Sequence, residues 1–278
     1  MIAGNAMGEI IPRAEQPHLE YLRQWIFDHT GLHFSEKKHT NLYRRLHTLC
    51  WKLNVPSLEE LARQLRDQVS PHLAVEVACA VSTNHTFFYR EAEVLQQVPQ
   101  MILPRLPVEG QWRIWSAAAA SGDEAYTLAI LFAEALGLEQ AQERVAILGT
   151  DISYSMIERA EQGTYLDQKL EMLPPLVRQR YFEKVDARQW RVIAELKRMC
   201  TFRRMNLQSA PFPFKNSFHL ILCRNILYYF NQQTQTQLVE RLYDAAEPGG
   251  WLLTSVTETM HNVPTRWRKV GTGLFRKL

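Results

Sequence analysis

The sequence predicts an α/β protein in two parts: an all-α N-terminal domain over residues 1–82, then a mostly parallel sheet flanked by helices over residues 83–278. Three observations carry this. In the first part the apolar residues recur at helical spacing. After Pro107 short apolar runs alternate with helical stretches, the pattern of a parallel sheet with helices on both faces. Between the two, Pro99, Pro104 and Pro107 interrupt any long helix and mark a linker over 83–107.

The helical part opens with HLEYLRQWIFDHTGLHF, where Leu19, Leu22, Ile26 and Phe27 share a face and Gly31 supplies the stop. Ser35 is placed to cap a second helix, with Glu36 in its first turn and Leu42, Leu46, Leu49 and Leu53 along its apolar face. Ser57 and Glu60 have capping-box spacing and open a third helix. Ser70-Pro71, a cap followed by proline at the first helical position, opens a fourth. In the α/β part WRIWSAA, VAILGTDI, FHLILCRN and GWLLTSVTE read as strands. EAYTLAILFAEAL, SYSMIERAEQ and QTQLVERLYDAA read as helices between them. The closing WRKVGTGLFRKL is expected to form an antiparallel edge hairpin around Gly271-Thr272-Gly273. Residues 163–206 break the alternation and are expected to hold a small inserted β-subdomain.

Composition excludes several classes of protein. Hydrophobic residues make up 46% of 278, enough for a core and too many for a disordered chain. No apolar run approaches the roughly 18 residues of a membrane span, and the start lacks the apolar stretch of a signal peptide, so a cytoplasmic address and no membrane insertion are expected. A net charge of +3 does not call for a nucleic-acid partner. Cys50, Cys79, Cys200 and Cys223 have neither CxxC nor zinc spacing, so reduced thiols and no metal site are expected.

In open parallel sheets ligands sit beyond the carboxyl ends of the strands. After the first strand comes Ser116-Ala117-Ala118-Ala119-Ala120-Ser121-Gly122-Asp123-Glu124. Its small residues let a ligand approach the backbone, and Gly122 permits a tight turn. Acids at the following helix start disfavour a pyrophosphate and suit a positively charged ligand; they also serve as ordinary first-turn acids. Asp151, closing the next strand, is placed to accept ribose hydroxyls or to cap its own turn. Together these point to an adenosine-containing ligand. Arg224, Asn225, Tyr228 and Tyr229 follow a later strand, where an arginine can pair with a carboxylate and the tyrosines can equally be packing groups.

These pieces together resemble the CheR family of chemotaxis receptor methyltransferases. The resemblance runs from about Leu19 to the end of the chain. It is carried by Thr83-Asn84-His85-Thr86-Phe87-Phe88-Tyr89-Arg90-Glu91, Cys223-Arg224-Asn225 with Tyr229-Phe230, Arg180-Tyr181-Phe182, Gly163-Thr164-Tyr165 and Met205-Asn206-Leu207. It implies a Rossmann-like class I methyltransferase sheet, S-adenosyl-L-methionine as cofactor with S-adenosyl-L-homocysteine as product, and methyl-ester formation on receptor glutamates. By the same resemblance Asn84, Thr86, Arg90, Glu124, Asp151, Asn206, Leu207, Arg224 and Asn225 contact the cofactor, and Arg90 and Tyr229 line the methyl-transfer site. The chain departs from the family pattern at Ala125, where proline is usual, at His219, where aspartate is usual, and at Ser255-Val256-Thr257-Glu258, where the family has G-H-S-E.

Lys38, Arg45 and Lys52 recur every seven residues, with Arg44 beside them. The family uses such a basic face to approach the acidic helical cytoplasmic domain of the receptor; by itself it is an ordinary solvated face. Some members also bind a pentapeptide at the receptor C-terminus through a glycine-bearing loop of the inserted subdomain. Residues 183–190 here have no glycine, which suggests action without that tether. Two other readings stay open: an enzyme with the same cofactor and another substrate, and a non-catalytic binding module, for which the altered G-H-S-E segment is the support.

Overall fold

A computed structural model of the chain describes residues 11–67, 70–82 and 84–278. The first ten residues, read above for a leader, and Thr83 of the linker motif lie outside the described residues. The chain divides into two units, Met1–Thr83 and Asn84–Leu278.

Among the described residues the first unit holds four α-helices, α1 (Gln16–Thr30), α2 (His39–Leu53), α3 (Leu58–Asp67) and α4 (Pro71–Val81). In α1, Trp25 rather than Phe27 completes the buried stripe with Leu19, Leu22 and Ile26. The helix stops at Gly31, whose φ of 72° lies in the left-handed region that glycine enters without steric cost. Ser70 caps α4 by accepting from the Leu73 amide at 3.3 Å. The other two caps differ from expectation. Ser35 makes no side-chain cap bond and precedes a 3-10 turn over Glu36–Lys38, so α2 starts only at His39. Ser57 accepts from the Glu60 amide at 3.2 Å, but the Glu60 carboxylate is taken by Arg63 and Gln64, so half of the capping box forms.

The second unit begins with a short helix, α5 (Ala92–Leu95), and continues β1 (Trp112–Ser116), α6 (Asp123–Leu136), α7 (Leu138–Arg144), β2 (Val145–Asp151) and α8 (Tyr154–Gln162). Then come β3 (Thr164–Leu166), α9 (Pro175–Tyr181), β4 (Phe182–Lys184), β5 (Gln189–Val192), α10 (Ala194–Met199) and β6 (Cys200–Arg204). The chain closes with β7 (Phe218–Leu222), α11 (Gln232–Ala245), β8 (Ala246–Leu253), β9 (Arg268–Gly271) and β10 (Leu274–Arg276). Seven strands form one sheet in the order β6-β2-β1-β7-β8-β10-β9. The first five run parallel, and β9 with β10 is the antiparallel edge hairpin expected from the sequence. The order reverses between β1 and β7, the place where such sheets open a ligand crevice.

The inserted subdomain is a three-stranded antiparallel sheet, β3-β5-β4. Within residues 163–206 the structure also places β6, which belongs to the main sheet. Strand β6 buries Phe202 and leaves Thr201, Arg203 and Arg204 exposed. That polar pattern is typical of an edge strand, which charges protect from pairing with other chains. Helix α6 is the opposite case: Ala125 through Ala133 are all buried, which explains a sequence apolar on every face.

Candidate functional site

The site is built where β1, β2 and β7 end. The loop after β1 stays tied to both neighbours: the Ala117 amide donates to Leu222 O at 2.8 Å and the Ala119 amide to Thr150 O at 2.9 Å. Gly122 turns the chain into α6 with φ 87°, and a Cβ there would lie 3.0 Å from the Ala160 Cβ. Asp123 is fully buried, and Lys169 from the insertion ion-pairs with it at 2.8 Å. The same insertion reaches the loop again through the Tyr165 hydroxyl, which donates to Ser121 O at 2.6 Å.

Glu124 points back across the end of β1. Its carboxylate accepts from the Ser116 hydroxyl at 2.7 Å and from Arg224 Nη1 at 2.8 Å. Arg224 is nearly inaccessible, with a side chain 1% exposed. Its Nη2 donates to Arg90 O at 2.6 Å and to Glu91 at 3.4 Å. The carboxylates that Arg224 pairs with here are those of Glu124 and Glu91. The guanidinium is spent on joining Glu124 to the Arg90–Glu91 segment, and only its buried Nε lacks a partner. Asn225 belongs to the same cluster. Its Nδ2 donates to Glu91 at 2.9 Å and its amide to Glu258 at 2.7 Å.

Asp151, at the end of β2, is almost buried. It accepts from the Ala120 amide at 3.0 Å and the Ser153 amide at 2.9 Å. Burial pushes its carboxyl above the ordinary range, against the pull of the Ser153, Ala120 and Ile152 amides. Each carboxylate oxygen keeps lone-pair capacity for a further donor such as a ribose hydroxyl. The Met205 amide donates to Asp151 O at 2.9 Å, which brings Asn206 and Leu207 to the end of β6 beside it. Asn206 shapes the turn there by accepting from the Gln208 amide at 2.9 Å, and Leu207 is buried.

Arg90 is half-buried, and its Nη1 donates to His85 O at 2.7 Å. Tyr229 is half-buried in the 3-10 turn after Asn225, its ring 4.5 Å from that of the more exposed Tyr228. Burial, then the hydrogen bond with Tyr229, pushes the Tyr228 phenol up to about 12. Asn84 and Thr86 lie in the irregular segment leading to Tyr89, and the bonds that build the cluster do not include them.

Two residues that the sequence reading named only as parts of motifs, and not as site residues, take part in this cluster. Glu91 accepts from Asn225, Val256 and Arg224, and Glu258 accepts from three backbone amides, those of Asn225, Leu227 and Ser255. Burial raises the Glu258 carboxyl above its ordinary value in spite of those amides. Strained backbone marks the same place: Tyr89, Glu91, Ala120 and Asn225 all have positive φ, a conformation non-glycine residues keep only where surroundings force it. Of the three departures, His219 accepts from the Arg113 amide at 3.0 Å through Nδ1, Ala125 packs fully buried in the first turn of α6, and Val256 contributes a backbone amide.

Among the docking residues, Arg44 and Lys38 are exposed, Lys38 just before α2 rather than on it. Lys52 pairs with Glu76 at 2.7 Å. Arg45 differs from expectation: it donates to Val81 O at 2.6 Å and Ser82 O at 3.0 Å, satisfying carbonyls at the end of α4.

Comparison with known proteins follows the same division. Residues 84–275 match the model described as "CheR methyltransferase, SAM binding domain", and residues 17–78 match "CheR methyltransferase, all-alpha domain". A chemotaxis protein methyltransferase of Borreliella burgdorferi is 30% identical, over 87% of this chain and 88% of its own. Chemotaxis protein methyltransferase 2 of Pseudomonas aeruginosa is 31% identical, over 92% and 91%. The chemotaxis protein methyltransferase of Salmonella typhimurium is 30% identical, over 88% and 85%.

Proposed function

This chain belongs to the CheR methyltransferase family, and from that premise we infer how its residues divide the work of moving a methyl group from S-adenosylmethionine to receptor glutamates. It is an S-adenosylmethionine-dependent methyltransferase of chemotaxis receptors. The observation that carries the site assignment is the placement of two acids around the loop of small residues that follows β1: Glu124, in the first turn of α6 and bonded to Ser116 at the end of β1, and Asp151, at the end of the adjacent parallel strand β2 and bonded to the Ala120 amide.

The donor set fits the cofactor. S-adenosylmethionine, when bound, supplies an activated methyl on a cationic sulfur. Glu124 offers a carboxylate to the ammonium end, and Asp151 accepts ribose hydroxyls. Asn206 and Leu207 flank the adenine with an amide and an apolar face. Arg224 and Asn225 hold the crevice open by fixing the segments around it, and Asn84 and Thr86 close it from the linker side.

The reaction asks for little acid–base help. A glutamate with pKa near ~4.3 is already an ionised nucleophile at neutral pH. What remains is alignment of carboxylate and methyl, so orientation dominates. Arg90 guides the substrate carboxylate and Tyr229 shapes the methyl site. Arg44 and Lys38 present positive charge to the acidic receptor helices. The turn between β4 and β5 is closed by Asp186, which accepts from the Arg188 amide at 2.7 Å and the Gln189 amide at 2.8 Å. A turn closed this way and lacking glycine favours action without the pentapeptide tether.

Calorimetry with S-adenosylmethionine and S-adenosylhomocysteine, paired with transfer of labelled methyl to receptor-bearing membranes, tests this reading. Binding of both compounds and base-labile label on the receptor are expected. Binding without transfer to any receptor would overturn the catalytic assignment, and micromolar binding of the pentapeptide would overturn tether independence.

A further inference from the structure

We propose that Glu91 is the positioning residue that holds Arg90 at the methyl-transfer site; the proposal rests on the role given to Arg90 above. Two segments converge on its one carboxylate. Oε1 accepts from Asn225 Nδ2 at 2.9 Å, after β7. Oε2 accepts from the Val256 amide at 3.0 Å, after β8, and from Arg224 Nη2 at 3.4 Å. The same Nη2 donates to the Arg90 carbonyl at 2.6 Å. Arg90 is thus fixed on its C-terminal side by Glu91 and at its own backbone by Arg224.

The chemistry of the clasp explains the residue type. Every group facing Glu91 is a donor, and an ionised carboxylate is the side chain that only accepts, through two oxygens. The two opposing segments contribute a side-chain amide, a guanidinium that Glu124 also neutralises, and a backbone N–H. The backbone shows what the clasp holds against. Tyr89, Glu91 and Asn225 have φ of 58°, 54° and 58°, conformations that persist only when their surroundings over-determine them. Released from Val256 and Asn225, this segment has a ready path back to ordinary φ, and that path moves Arg90.

A displacement of about 1 Å in an aligning group costs on the order of a hundredfold in rate. A double-mutant cycle in the full chain therefore tests the role: wild type, Arg90→Ala, Glu91→Ala, Glu91→Gln, and each Glu91 variant combined with Arg90→Ala. The readouts are kcat for methyl transfer to receptor-bearing membranes, S-adenosylmethionine Kd by calorimetry, and the urea midpoint. Glu91→Ala is expected to lower kcat about a hundredfold, and Glu91→Gln about tenfold, because the amide keeps one acceptor and turns a donor toward donors. The shift in Kd should not exceed that caused by Arg90→Ala. In the Arg90→Ala background neither Glu91 variant should cost more than about twofold, because residues acting as one unit are not additive. Full additivity beside a disabled Arg90→Ala enzyme overturns the proposal alone. So does unchanged kcat in both Glu91 variants, or a Kd shift larger than that of Arg90→Ala. Wild-type turnover in Arg90→Ala overturns the Arg90 assignment and the proposal with it. If Glu91→Ala does not fold, the cycle is read from Glu91→Gln.

Discussion

Arg224 sits out of solvent with an acid on either side and a carbonyl against one nitrogen, so Glu124 stabilises the fold in addition to the cofactor role proposed for it. Removing one partner of a buried pair strands the other charge, at a cost of about 3 kcal/mol. Glu124→Ala should lower unfolding free energy by about that amount in urea, together with a loss of cofactor affinity. The acids of this cluster respond to pH in opposite senses. Burial raises Glu91, but the Asn225 amide, the Val256 N–H and Arg224 outweigh it and hold the carboxyl below its ordinary 4.5. A group lowered in this way stabilises the fold above its unfolded pKa and loses that contribution as pH falls through the folded value. Asp151 and Glu258 are raised by burial, so each carries a penalty at neutral pH that is relieved as it takes up a proton. The stability gap between wild type and Glu91→Gln should therefore be full at pH 7 and shrink in urea titrations taken below ordinary carboxylate pH. Neither Glu91 nor Glu258 was legible beforehand as a site residue. Glu258 is held by backbone amides, which have no letter in the sequence, and Glu91 by two side chains and an amide that only the folded chain brings to it.

At the scale of elements, strands buried on both faces were legible because apolar residues dominate them with at most one half-buried polar side chain, as in WRIWS and FHLIL. Strand β6 was not, because an edge strand hides one apolar residue among charges. Its single buried ring nonetheless sets a constraint on its neighbour. A Cβ at Gly149 would lie 2.5 Å from the Phe202 ring, so Gly149→Ala should force that ring aside and cost about 1–3 kcal/mol in chemical denaturation. A smaller effect is expected at α11, where Asn231 accepts from the Thr234 amide at 2.9 Å. Asn231→Ala should cost about 1 kcal/mol, read from the thermal midpoint, with cofactor affinity unchanged. The same logic corrects α2. The seven-residue spacing of Lys38, Arg45 and Lys52 is real, but Lys38 precedes the helix, Arg45 bonds the end of α4 and Lys52 pairs with Glu76, so the three do not form one continuous stripe along α2.

For the molecule as a whole, chain order was enough to predict a parallel sheet with an antiparallel edge, because alternation of strand and helix admits few right-handed topologies. The crossover point between β1 and β7 was not readable, since it depends on pairing across distant segments. Receptor recognition belongs to this scale too, being a property of charge distribution over a surface. Lys38→Glu with Arg44→Glu should raise the KM for receptor-bearing membranes about tenfold and leave cofactor Kd within about twofold, as expected when rim charges steer encounter rather than chemistry. An unchanged KM would argue against this face. Arg45→Glu is the wrong probe for it, because it would also uncap α4.

The bond between Glu91 and Val256 reaches the main chain, and that has a consequence for how such proteins drift apart over time. A contact that reads an amide is indifferent to the side chain carrying it, so the position is open to nearly any replacement, and Val256 is already 44% exposed. Proline alone lacks the hydrogen. A comparison by letters counts a histidine-to-valine exchange here as decay of a signature; a comparison by hydrogen bonds counts it as silent. Val256→His should accordingly leave turnover unchanged, whereas Val256→Pro should lower it to the level of Glu91→Gln.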